Sequence, residues 1–290
     1  MHSRTHDRQA LRLALVLTLT LFVVELVGGY LTNSLALLAD AAHMFADVSA
    51  LALAFGALWI SSRAASDTKT FGYYRVEILA ALVNGLFLWL VVVFIGYEAS
   101  QRYAEPPPVK AEPMMVVAAI GLAVNVVCAW QLRPAEHSSM NLHGAFLHVV
   151  SDLLGSIGAL LAGAVMLTTG WYVADPLISA GIGLLILYSS WGLIRDAVDV
   201  LMEAVPPHVD LDELRRALGE VPGTVEVHDL HVWTLTTGRE ALSAHAVVSG
   251  DADHDAVLDA MQQVSSRFHI DHVTIQIETT NRKGHEPVHF

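Results

Sequence analysis

The chain is 290 residues long, 54% hydrophobic and only 16% charged, whereas an ordinary soluble protein carries about 25% charge. Its mean hydropathy of +0.49 points to a membrane. The net charge of -13 argues against nucleic acid as a partner, because phosphate binding needs a surplus of Lys and Arg, and the single cysteine, Cys128, excludes a disulfide framework or a Cys-based zinc cluster.

Apolar runs long enough to span a bilayer core, which takes about 20 residues, occur at about 11–30, 35–60, 76–100, 113–132, 143–169 and 176–197. The first opens with MHSRTHDRQALR, which lacks a small-residue cleavage site, so it reads as a retained span rather than a signal peptide. Basic residues fall on alternate connections. Arg4, Arg8 and Arg12, then Arg63, Lys69 and Arg75, then Arg133 and Arg195 share one side, against Arg102 and Lys110 on the other. By the positive-inside rule both termini are expected in the cytoplasm.

After the sixth span, MEAVPP breaks the helical pattern. The charge balance changes at the same point: residues 1–200 carry 10 basic and 14 acidic side chains, residues 201–290 carry 6 and 15. Beyond it the pattern predicts a helix at 210–219, strands VEVHDLHVWTL and ALSAHAVVS around a TTGRE turn, a helix at 253–268 and a strand HVTIQIE. The expected architecture is an α-helical membrane protein. A cytoplasmic tail (1–10) leads into a six-helix transmembrane domain (11–200); a hinge (201–207), a cytoplasmic α+β domain of αββαβ order (208–280) and a tail (281–290) follow.

A charged side chain at the bilayer centre costs at least about 2.5–3.5 kcal/mol, so each needs a partner or a function. Span two holds His43 and Asp47, and span five His148 and Asp152, four apart in both cases and therefore on one helix face. At 1.5 Å per residue the pairs lie at similar depths, roughly 14–20 Å from one end of span two and roughly 9–15 Å from the opposite end of span five. Two imidazoles and two carboxylates make a four-coordinate set. Such a set suits zinc better than magnesium or calcium, which want six or more oxygens. The plain alternative is two neutral hydrogen-bonded His–Asp contacts. Asp40 can share the His43 face, act as a cap or support the ligands from behind, and Glu25, Asn84 and Asn125 read as helix–helix hydrogen bonders.

Nine of the 15 histidines follow residue 207. His228 and His231, three apart on the first strand, are expected on opposite faces unless the strand bends. HEPVH at 285–289 matches the HExxH metalloprotease pattern literally, but Pro287 interrupts the helix that chemistry requires.

The paired HxxxD motifs, the FGYYRVEILAAL segment, and the VHDLHVW and LSAH strands together resemble the cation diffusion facilitator family, in its zinc-transporting branch, over nearly the whole chain. The resemblance implies a ferredoxin- or metallochaperone-like C-terminal domain and a homodimer in the lipid bilayer, by expectation the bacterial inner membrane. It implies a transporter rather than an enzyme, exporting Zn2+ (or Cd2+, Co2+ or Ni2+) in exchange for protons by alternating access, with no organic cofactor. His43, Asp47, His148 and Asp152 become the transport site. His228, His245, His254 and Glu278 match positions of a regulatory zinc site, with His231 and His272 as neighbours. A contact between Arg75 and Glu203 is also implied. The chain departs from the family pattern at Tyr73, where a loop histidine often follows Phe-Gly, and in a loop reduced to His137; His2 and His6 belong to the N-terminal tail. Two other readings of the same residues are a membrane-anchored metal sensor and an intramembrane metal-dependent hydrolase.

Overall fold

A computed structural model of the chain describes the backbone of residues 2–132 and 140–280, and the side chains of 16–130 and 149–280. Six long helices come first: α1 (His2–Thr32), α2 (Leu35–Ser61), α3 (Arg75–Ala104), α4 (Ala111–Leu132), α5 (Met140–Thr169) and α6 (Ala174–Leu201). They are followed by α7 (Leu211–Gly219), β1 (Thr224–Thr236), β2 (Arg239–Val248), α8 (His254–Arg267) and β3 (Ile270–Glu278). The αββαβ order read from the sequence is thus present, with strand ends moved by one or two residues. Five of the long helices contain segments long and apolar enough to cross a membrane, and α1 adds the shorter apolar segment Val16–Thr32. Large apolar side chains such as Leu90, Val93 and Phe94 remain exposed along these helices. Such a surface belongs in hydrocarbon, where a helix satisfies its own backbone polar groups.

The chain forms two compact units. The first joins residues 1–53 to 83–193. In it, α4 packs against α1 and α5. The approach is close because small residues lie at the contacts: a methyl group added at Gly28 would stand 2.8 Å from Val117. The core is built from Leu37, Met114, Ile182 and Ile186 together with many alanines.

The start of α2 is held from α6. Asp175, fully buried, accepts hydrogen bonds from the Ser34 hydroxyl (2.7 Å), the Leu35 N–H (2.7 Å) and the Ala36 N–H (3.3 Å). These donors belong to the first turn of a helix, where N–H groups have no partner within the helix and an anion is favoured. A carboxylate on one helix therefore caps another and fixes the height of everything α2 carries.

The second unit joins residues 54–82 to 194–290. Its sheet runs β1-β2-β3, with β1 antiparallel and β3 parallel to β2. Helices α7 and α8 pack on β1 and β3 and on each other. Each is amphipathic, burying Leu214 and Leu218 or Val257, Met261 and Val264, and each is N-capped by an aspartate, Asp210 or Asp253. Gly238, at φ 72°, makes the two-residue turn between β1 and β2. The implied contact between Arg75 and Glu203 is present at 2.8 Å. Beside it, Glu77 of α3 accepts from Ser61 at the end of α2 (2.6 Å) and from Thr236 at the end of β1 (2.8 Å).

The buried cap yields a stability prediction. Asp175→Ala leaves two buried N–H groups without acceptors, so unfolding in detergent should become easier by about 2–3 kcal/mol. An unchanged denaturant midpoint would show that the cap does not hold α2.

Candidate metal centres

In the first unit, α2 and α5 bring the intramembrane ligand candidates together. His43 Nε2 lies 3.7 Å from Asp47 Oδ2, one turn on, and 4.0 Å from Asp152 Oδ1 across the helix contact. His43 thus stands between the two carboxylates; the ligand atoms of all three do not come within 4.8 Å of one another, so a shared tetrahedral zinc, whose ligands stand roughly 3.3–3.4 Å apart, would require these side chains to close in. His148 lies on α5, but its side chain falls outside the described residues.

A cavity of about 470 Å³ adjoins this cluster, lined among others by Asp40, His43, Asp47, Asn84 and Ser151. Among the described residues no Lys or Arg lines it. Its polar wall therefore carries acceptors and neutral groups with no competing cation, which favours an incoming cation. Asn84 differs from its expected role as a helix–helix hydrogen bonder: its Oδ1 meets no donor among the described residues, and the side chain faces the cavity instead. Asp40 is not a helix cap, since α2 is capped by Asp175; it is 3% exposed and lies against Glu25.

In the second unit, the sheet assembles a second group. His228 on β1 and His245 on β2 are register partners, and Glu278 ends β3 beside them. His228 Nε2 stands 3.4 Å from Glu278 Oε2, and His245 Nδ1 stands 3.2 Å from Glu278 Oε1. One ligand atom from each lies within 4.8 Å of the others. Both His228 and Glu278 are buried. Two imidazoles and a carboxylate at these separations match a zinc ligand set that keeps one coordination position for another donor.

His254 does not join them within the chain. It opens α8 as an exposed residue, while His272 packs edge-on to Phe71 with ring centroids 5.5 Å apart.

The strict two-residue alternation fails at His231. A bulge between His228 and His231 leaves Asp229 at φ 50°, and the register jumps from His228↔His245 to His231↔Ser243. Residues 243 and 245 share a face, so His228 and His231 share it too. Asp229 is carried along, 3.1 Å from His231 Nε2 and 4.0 Å from His245 Nε2. The only hint in the sequence was the polar HDLH inside an otherwise apolar strand. Sequence reasoning also missed Asp175 and Glu77, whose roles depend on partners 140 and 159 residues away.

Comparison with known proteins identifies the family. Residues 11–202 match the cation efflux transmembrane domain and residues 206–280 the cation efflux protein cytoplasmic domain. The metal cation efflux system protein CzcD of Cupriavidus metallidurans is 42% identical over 282 residues, covering 96% of this chain and 89% of that protein. The zinc transporter ZitB of Escherichia coli is 40% identical over 285 residues, covering 96% and 91%. A cadmium, cobalt and zinc/H(+)-K(+) antiporter of Bacillus velezensis is 40% identical over 283 residues, covering 96% and 90%. Among solved structures, the metal-bound C-terminal domain of the Cupriavidus CzcD transporter aligns with 24% of this chain and 99% of that one, at 39% identity and a TM-score of 0.23. With matches spanning almost its full length and intramembrane His and Asp side chains gathered at a cavity, the chain belongs to the cation efflux family of membrane transporters.

Proposed function

We propose that this protein exports a divalent cation, zinc foremost, in exchange for protons, through a four-ligand site of His43, Asp47, His148 and Asp152. The observation that carries the reading is His43 of α2 standing 3.7 Å from Asp47 and 4.0 Å from Asp152 of α5 beside a cavity with no Lys or Arg among its described lining residues. Imidazole nitrogen together with carboxylate oxygen favours zinc over the oxygen-demanding magnesium and calcium. Cadmium, cobalt and nickel fit the same donors. Two carboxylates offset the charge of the ion, which lowers the cost of holding it in a low dielectric.

Exchange follows from the ligands themselves. Histidine titrates near neutral pH, and a ligand must lose its proton to bind metal, so protons and metal compete for the same atoms. Two conformations exposing that site alternately turn the competition into antiport. An outside more acidic than the cytoplasm drives metal outward. The distribution of Lys and Arg supports a cytoplasmic location for both termini, in a bacterial inner membrane.

The group of His228, His245 and Glu278 is a candidate for a second, regulatory zinc in the C-terminal domain, through which cytoplasmic metal would bias transport. His254, exposed at the start of α8, is placed where it would complete such a site only from another surface. That arrangement supports a homodimer, a state also in keeping with the family match of this domain. Arg75–Glu203 and the two hydrogen bonds of Glu77 tie the ends of α2 and α3 to the chain after α6 and to the end of β1, and they offer a mechanical link for that bias.

Two measurements test these assignments. In proteoliposomes holding a zinc dye and a pH dye under an imposed proton gradient, Asp47→Ala should abolish both zinc flux and the opposing proton flux. Undiminished exchange would remove Asp47 from the site. For the C-terminal centre, His245→Ala in the full chain should lose about one tightly bound zinc per protomer in equilibrium dialysis. An unchanged stoichiometry would dismiss that centre.

A further inference from the structure

Behind the cavity lies a second set of buried acidic groups that the metal site does not use. Glu25 of α1 is fully buried, and neither of its carboxyl oxygens meets a hydrogen-bond donor among the described residues. The group it lies against is another carboxyl, that of Asp40 on α2, itself 3% exposed. Two helices bring their backbones unusually close to hold the pair. A methyl group at Gly121 of α4 would stand 2.6 Å from Glu25 Oε1, and one at Gly155 of α5 would stand 2.9 Å from Asp40 Oδ1. The same point above Gly121 lies 3.2 Å from Ser156 Oγ, a hydroxyl that is 1% exposed and without a partner among the described residues. Any larger residue at either glycine would fill the space around the carboxyls.

Two carboxylates in contact inside a helix bundle cannot both remain charged without a cation between or beside them. Among the described residues no Lys or Arg is at hand. The titratable groups facing Glu25 are Asp40 and, further off, Asp152 of α5; Asp40 in turn faces Asp152 and Asp47. Apart from His43, which is engaged with Asp47 and Asp152, the described neighbours of the pair are carboxyls, so a positive charge brought from outside would balance it. A proton is the smallest such charge, and it can be shared by two carboxyls without room for a larger ion.

We propose that Glu25 holds an exchangeable proton, donated to Asp40, and that this pair is a counter-ion site separate from the metal ligands. Asp40 borders the cavity while Glu25 is enclosed behind it. Asp40 is therefore the exit. When a divalent cation settles beside Asp47 and Asp152, its charge favours the ionised pair, and the proton leaves Glu25 through Asp40 to the cavity water. When the metal departs, the pair takes up a proton from whichever side the cavity then faces. No bond other than O–H forms or breaks.

The proposal rests on the antiport reading, and its test separates the two. Infrared difference spectra of the full-length protein, with and without zinc, should show the carbonyl band of a protonated carboxyl that diminishes on zinc addition and is missing in Glu25→Gln. In proteoliposomes, Glu25→Gln should still bind zinc at the His43 site but release about one proton fewer per zinc transported. A zinc-sensitive band that survives in Glu25→Gln overturns the proposal, as does an unaltered proton count. Should Glu25→Gln fail to fold, Asp40→Asn removes the acceptor of that proton and should shift the band; an unmoved band again overturns the proposal. Wild-type protein that moves zinc without protons would refute the antiport reading, whereas the infrared band would still report whether Glu25 is protonated.

Discussion

A carboxylate inside a bilayer must be met by a donor or a cation, and much of this molecule is arranged around that requirement. Three solutions occur within one helical unit. Asp175 is met by backbone N–H groups and a hydroxyl, and its charge is used up in structure. Asp47 and Asp152 are met by His43, a partner that can be traded for an ion. Glu25 and Asp40 are met by each other. The first solution is permanent and the second is conditional. The third is balanced only by a charge brought from outside, the proton proposed above.

These solutions depend on one another through α2. The helix begins on the Asp175 cap, carries Asp40, His43 and Asp47 along successive turns, and ends at Ser61, where Glu77 accepts its hydroxyl. A helix is stiff along its axis, so fixing its first turn sets the depth of all three side chains. Glycines on α4 and α5 then decide how near the neighbouring helices come, and hence whether the carboxyls are enclosed or reach the cavity. Polar groups of this kind cost stability inside a membrane, which is the usual mark of function there.

The C-terminal domain solves a different problem with a strand irregularity. A regular β1 would send His228 and His231 to opposite faces; the bulge at Asp229 returns them to one. Positive φ at a non-glycine residue is a strained choice that aspartate tolerates better than most. The bulge gathers imidazole and carboxylate groups from all three strands around His245 without lengthening any loop.

The sequence by itself determined the helices, the αββαβ order and the pairing of His43 with Asp47. Each of these follows from periodicity or from spacing along one element, and local spacing survives folding. It also sufficed to mark Asp152 as a ligand candidate, because ionisable residues in apolar runs are conspicuous, whereas His228, His245, His254 and Glu278 were marked only by resemblance to the family. What only the tertiary structure decided were meetings across elements: Asp175 with the start of α2, Glu77 between α2 and β1, Glu25 against Asp40, and His231 on the His228 face. Each depends on where a helix happens to cross or a ladder slips by one residue. Such placements are set by the packing of whole elements, with small residues at Gly121 and Gly155 admitting contacts that no local pattern encodes.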